Sequence, residues 1–183
     1  MLSILIPTYN NFDYFKLCIK SLETNTDNKY EIIVHVNDGI DGTLDFVKNK
    51  SFKYIHSKTN IGLCSSINKI AKISNYKYLL YSHDDMFFCP GWDSALINEI
   101  KKIGHNNFYL SGTMIEPNSG HIKFNAGKDF NSFNEQKLLD NINNLNFFDH
   151  QGSHFAPHLV HKDLWNKVGG FSEEFNPGIG SDP

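Results

Sequence analysis

Apolar and polar positions along this chain change period in a regular order. Leu2 to Ile6 is a mostly apolar run stopped by Pro7, the pattern of a buried first strand. Phe12, Phe15, Cys18, Ile19 and Leu22 then recur at three and four residues. That spacing predicts a helix with one apolar face, capped by Asn10 or Asn11. Glu31 to Val36 reads as a second strand and Gly42 to Asn49 as a short helix. Phe52 to His56 alternates like a third strand. Asn60-Ile-Gly62 leads into a helix with Leu63, Ile67, Ile70 and Ala71 inward. Tyr78 to Tyr81 is the fourth strand.

Strands alternating with helices predict an α/β fold, a mainly parallel sheet with helices on its faces. Crossover connections bring the carboxyl ends of such strands to one edge, where ligands of open α/β sheets bind. Thr8-Tyr9, Asn37-Asp38 and Asp84-Asp85 are then neighbours on that edge. Carboxylates directly after a buried strand are costly unless solvent, a cation or a donor meets them. Paired carboxylates suit Mg²⁺ or Mn²⁺ shared with a phosphate ligand. The plain alternative is that Asp84 and Asp85 cap a turn before Pro90-Gly91.

Beyond Trp92 the pattern loosens. Ser94 to Ile103 predicts a helix with Ala95, Leu96, Ile100 and Ile103 on one side. Phe108 to Ile115 and Ile122 to Phe124 read as strands around the turn Pro117 to Gly120, a smaller mixed β region. Asn125 to Phe148 is rich in Asn, Asp and Phe, and reads as a long mobile surface loop with a helix over Asn134 to Asn141. Phe155 to Val160 is a further strand, and Lys162 to Val168 a helix stopped by Gly169-Gly170.

With 183 residues the chain fits one domain. A net charge of −3 argues against nucleic acid as a general partner. Three cysteines, Cys18, Cys64 and Cys89, show neither metal-type nor disulfide spacing. Cys18 and Cys64 fall in helical patterns and read as buried free thiols, which favours a reducing compartment. No signal peptide or membrane-spanning run is present, so a cytoplasmic place is expected, compatible with association at the inner face of a membrane. His150, His154, His158 and His161 cluster, but their spacing matches no familiar zinc set. Trp92 and Trp165 offer faces on which a ligand ring could stack, although Trp165 fits better as a ring packing its helix onto the sheet.

Several motifs together resemble glycosyltransferase family 2, enzymes of the GT-A fold. They are Ser3-Ile-Leu-Ile-Pro-Thr-Tyr-Asn10, Val36-Asn-Asp-Gly39, Asn60-Ile-Gly62 with Asn68, His83-Asp-Asp85 before Pro90-Gly-Trp92, and Gly169-Gly-Phe-Ser-Glu-Glu-Phe175. The resemblance implies one Rossmann-like catalytic domain, with a nucleotide-binding half over 1–93 and an acceptor-side half over 94–183. It implies a nucleotide-sugar donor, a UDP-sugar by family habit, and a glycan or lipid-linked glycan acceptor. Thr8 and Tyr9 would line the base pocket, and Asp38 would accept a hydrogen bond from the base. Asn60, Gly62 and Asn68 would shape the nucleotide side. Asp85 would be the first metal ligand and Asp84 the second, also facing nucleotide, with Mn²⁺ or Mg²⁺ as cofactor. Asp182 would be the catalytic base of an inverting transfer.

The chain departs from the family at two places. His83 stands where the first acidic residue of Asp-x-Asp usually falls, and Ser181-Asp182 stands where Glu-Asp usually does. The sequence also ends one residue later, which reads as a C-terminal truncation. Two other readings stay open: a nucleotidyltransferase using the same carboxylates on phosphorus, and a nucleotide-binding fragment without turnover.

Overall fold

A computed structural model describes residues 1–149 and 155–177. The elements run β1 (Leu2–Tyr9), α1 (Phe12–Asn25), β2 (Tyr30–Asn37), α2 (Thr43–Asn49), β3 (Lys53–Ser57), α3 (Leu63–Lys72), β4 (Tyr78–Tyr81) and α4 (Trp92–Ile103). Then come β5 (Tyr109–Ser111), β6 (Ile115–Glu116), β7 (Ile122–Lys123), α5 (Glu135–Asn141), β8 (His158–His161) and α6 (Lys162–Val168). The main sheet has the order β3-β2-β1-β4-β8-β5. β1 to β4 are mutually parallel, while β8 runs antiparallel to both β4 and β5. A mainly parallel α/β sheet is what the alternating pattern predicts.

Both faces of the sheet are covered, which is why its strands read as nearly unbroken apolar runs. On one face Ile4, Ile6, Val34, Val36 and Leu80 pack under Phe15, Ile19 and Leu22 of α1 and Leu96 and Ile100 of α4. On the other, Leu5, Ile33, Leu79 and Val160 pack under Ile67, Ile70 and Ala71 of α3 and Trp165 of α6. Trp165 therefore packs its helix onto the sheet. Cys18 and Cys64 are buried free thiols, as their helical spacing predicts. In α4 the pattern fails at one position: Ala95 is exposed, and Asp93 is buried instead. Asp93 Oδ2 accepts from the backbone N–H of Asn28 at 2.7 Å and from its side-chain amide at 2.8 Å, pinning the loop before β2.

β1 does not stop at Pro7 but continues to Tyr9, paired with β2. Ser82 donates its N–H to the Leu5 carbonyl, so the odd-numbered polar groups of β1 face β4. β4 ends at Tyr81, so the missing N–H of Pro7 falls where no strand needs it. The cap of α1 also differs from expectation. Neither Asn10 nor Asn11 caps with its side chain. Asp41 does this work for two helices, accepting from Phe12 N at 2.9 Å and from Thr43 N at 3.1 Å.

The C-terminal half departs more. The expected strand over Phe108 to Ile115 is broken into β5 and β6: the β5 ladder ends where Gly112 N donates to the Pro157 carbonyl, because Pro157 has no N–H to return the bond. β6 and β7 pair in parallel as a separate two-stranded sheet. The strand expected from Phe155 begins only at His158, after Ala156-Pro157. The expected excursion after Asn125 is fastened to α1: Tyr14 Oη accepts from Phe130 N at 3.1 Å, and Lys20 pairs with Glu135 at 3.0 Å. Among the described residues, no helix is long and apolar enough to cross a membrane.

Candidate active site

The carboxyl ends of β1, β2 and β4 meet at one edge, and two consecutive asparagines stitch them together. Asn10 Nδ2 donates to Asp38 Oδ2 at 3.1 Å, while Asn10 Oδ1 accepts from Gly39 N at 3.0 Å. Asn11 Nδ2 donates to Asp84 Oδ1 at 3.0 Å. Asn10 and Asp38 both have positive φ, at 46° and 61°, a region Asn and Asp tolerate better than most residues. Thus β1 exits between the two acidic loops and holds a carboxylate on each side.

Asp84 is half-buried and Asp85 exposed. Burial pushes the Asp84 carboxyl above the ordinary range. Thr8 and Asn11 oppose that rise by favouring the charged form, the neighbouring Asp85 adds to it, and His83 counters it. Thr8 Oγ1 is buried beside this carboxylate. Two adjacent hard oxygen donors, one of them desolvated and unfavourably charged, fit a divalent cation. Among the described residues no third His, Cys, Asp or Glu side chain joins them, so the remaining ligands would come from solvent or substrate.

His83 is held between its neighbours. Its Nε2 lies 2.6 Å from Tyr81 Oη, and its Nδ1 lies 4.0 Å from Asp85 Oδ1. The Tyr81 ring stacks on His158, which lies 2.8 Å through Nδ1 from Ser111 Oγ. His161 packs edge-on against Tyr78 and caps α6. His158 and His161 are therefore engaged in the sheet. His150 and His154 lie outside the described residues.

The remaining expected residues fall in two groups. Thr8, Tyr9, Asp38, Asp84 and Asp85 gather at the edge, with Tyr9 52% exposed above buried Thr8. Asn60 and Gly62 form the turn into α3: Asn60 Oδ1 accepts from Gly62 N at 2.9 Å, and the adjacent Ile61 N donates to Asn37 Oδ1 at 3.0 Å. Asn68 points elsewhere, bonding the backbone of Phe171 in both directions. Asp182 lies outside the described residues. Trp92 packs at a tilt against Phe88 and donates its indole N–H to Thr26, so its ring is committed to packing. Asn10, Asn11 and Tyr81 were not singled out by the sequence as site residues. The sequence signal for the first two is a pair of amides, Asn10 closing the β1 motif and Asn11 following it.

A family model described as Glycosyl transferase family 2 matches residues 3–164. An uncharacterized glycosyltransferase of Rickettsia typhi is 28% identical over 94% of this chain and 54% of that protein. Among solved structures, S. aureus TarS residues 1–349 in complex with UDP-GlcNAc superposes with a TM-score of 0.66 at 15% identity, covering 92% of this chain and 47% of that one. The mannosyltransferase PcManGT of Pyrobaculum calidifontis, in complex with GDP-Man and Mn²⁺, gives a TM-score of 0.62 at 14% identity, over 94% and 48% of the two chains. The chain spans about half or less of the length of the curated relatives it matches. The structural likenesses establish the GT-A fold. With the family match running from β1 into α6, the chain belongs to glycosyl transferase family 2.

Proposed function

We propose that this domain transfers a sugar from a nucleoside-diphosphate sugar to an acceptor hydroxyl, with inversion. The observation that carries this is the edge itself: Asp38 and Asp84 held on either side of β1 by Asn10 and Asn11, with Asp85 exposed beside them. Asp38 offers an acceptor for a base ring N–H. Asp84 and Asp85 would hold Mn²⁺ or Mg²⁺, which when bound neutralises charge on the leaving diphosphate. Support for the donor class comes from TarS, solved with UDP-GlcNAc, and for the ion from PcManGT, solved with Mn²⁺.

In the transfer, the acceptor oxygen bonds to the anomeric carbon from the face opposite the diphosphate. The bond from that carbon to the phosphate oxygen breaks, and its electron pair leaves with the nucleoside diphosphate. The acceptor proton passes to the Asp182 carboxylate. A sugar hydroxyl is a poor nucleophile, so a positioned base contributes ~10²–10⁴-fold.

The test uses the full-length protein and a panel of nucleotide sugars with and without Mn²⁺. Released nucleoside diphosphate with a glycosylated acceptor supports the proposal. Pyrophosphate release points to nucleotidyl transfer instead. Asp182→Asn should leave donor binding unchanged and collapse transfer. A variant transferring within a few-fold of the parent removes Asp182 from the mechanism.

A further inference from the structure

The chain after α6, on the same face of the sheet as α3, lies against α3. Asn68, in the middle of α3, reads both polar groups of one backbone unit. Its Oδ1 accepts from Phe171 N at 3.0 Å, and its Nδ2 donates to the Phe171 carbonyl at 2.9 Å. The same amide donates to Glu173 Oε1 at 3.1 Å. Glu173 Oε2 accepts from Ser65 Oγ at 2.7 Å, and Ser65 Oγ in turn accepts from Asn176 Nδ2 at 2.6 Å. Leu63 N, the first N–H of α3, donates to the Pro177 carbonyl at 3.0 Å. The Phe171 ring packs edge-on against Trp165 and against Tyr81, the residue bonded to His83 beside the carboxylate pair.

Two glycines belong to the same contact. Gly170 has φ +81°, and a side chain there would run into the Asn68 amide. Gly62 has φ +85°, and a side chain there would run into the Asn176 amide. The backbones approach this closely only because neither position carries a Cβ. Gly62 also closes the turn from Asn60, whose neighbour Ile61 is bonded to Asn37 at the end of β2.

We propose that Asn68 is a positioning residue for the acceptor side, acting with Glu173 to latch the Phe171–Pro177 strap onto α3. The latch makes the nucleotide-side turn at Asn60–Gly62 and the Phe171–Pro177 strap one body. A single side chain spanning both polar groups of Phe171 fixes the strap's register as well as its closeness. A strap held less firmly would leave the donor site built and loosen Phe171 from Tyr81, the residue bonded to His83, and small misplacements of reacting groups are expensive in rate. This inference rests on the transfer reading above. It assigns Asn68 to the strap rather than to direct contact with nucleotide.

The test compares full-length parent with Asn68→Ala and Glu173→Ala. Three quantities are read: amide exchange across 171–177, calorimetric affinity for nucleoside diphosphate with Mn²⁺, and turnover to acceptor against turnover to water. Expected for Asn68→Ala are faster exchange at Phe171, nucleotide affinity within a few-fold of the parent, and a loss of ~10-fold or more in transfer with donor hydrolysis largely kept. Glu173→Ala should move the same three quantities in the same directions by less. Nucleotide affinity lost with exchange unchanged overturns the proposal, because Asn68 would then be a ligand contact. Faster exchange with transfer unchanged overturns it as well. If the parent transfers from no sugar donor, the transfer reading falls on its own, and unchanged exchange in Asn68→Ala would still remove the latch.

Discussion

Asn11 donates its side-chain amide to Asp84 at 3.0 Å, bridging the exit of β1 to the exit of β4. This bond stabilises the charged form of a carboxylate that burial disfavours. It also leaves helix α1 alone, since the Phe12 N–H is held by Asp41. Asn11→Ala should therefore weaken binding of nucleoside diphosphate with Mn²⁺ by ~1–3 kcal/mol, the usual loss on orphaning a hydrogen-bonded partner. The melting temperature should change little. Calorimetry beside a thermal melt checks both, and unchanged affinity would show that Asp84 does not act in binding.

The parallel half of the fold was legible because burial on both faces writes itself into sequence as apolar runs and three-four spacing. The gathering of the β1, β2 and β4 ends at one edge was legible for the same reason, since each of these ends coincides with a switch from apolar to polar, acidic or amide residues. What escaped depends on partners far along the chain. Pro7 lies within β1 because β4 is short, and that is not visible near Pro7. Asp41 caps a helix that starts 29 residues earlier. Asn10 and Asn11 look like a local cap, yet their partners are Asp38 and Asp84. In the C-terminal half, β6 and β7 are two residues each, too short for any period to register.

Asp85 is the carboxylate with the open position. Its side chain is 53% exposed, and it has no role in the core that its removal would expose. Asp85→Ala should therefore abolish most of the gain in nucleoside-diphosphate affinity that Mn²⁺ or Mg²⁺ provides, while the protein melts as before. The same affinity with EDTA as with Mn²⁺ in the parent would show that the pair does not serve a metal.

Asp38 tests the base pocket, and the substitution has to respect its backbone. At φ +61° an Ala would add conformational strain to any loss of function. Asn tolerates that region and can still accept from the Asn10 amide. An ionised Asp accepts and cannot donate, which suits the ring N–H of uracil, thymine or guanine. The parent should prefer UDP, dTDP or GDP over ADP and CDP. Asp38→Asn should weaken UDP binding by ~1–3 kcal/mol without lowering stability. Equal binding of all five nucleotides by the parent would remove Asp38 from base selection.

His35 sets a limit on acid stability. It is fully buried in β2, with Nε2 3.3 Å from Ser57 Oγ and Nδ1 without a hydrogen bond. Burial lowers its pKa from 6.5 to about 4, helped by the positive charge of Lys69 and by His56. The sign follows from proton counting. Between the unfolded value near 6.5 and the folded value near 4, the unfolded chain binds the proton and the folded chain does not. Stability contributed by neutral His35 is thus fully present above about pH 6.5 and is lost as pH falls, reaching roughly 2 kcal/mol by about pH 5. His35→Gln keeps a polar atom near Ser57 and removes the titration. It should lower stability at neutral pH yet reduce the drop between about pH 7.5 and pH 5 by roughly that amount. Urea melts of both proteins at the two pH values measure it. An equal drop in parent and variant would place the acid sensitivity in other groups.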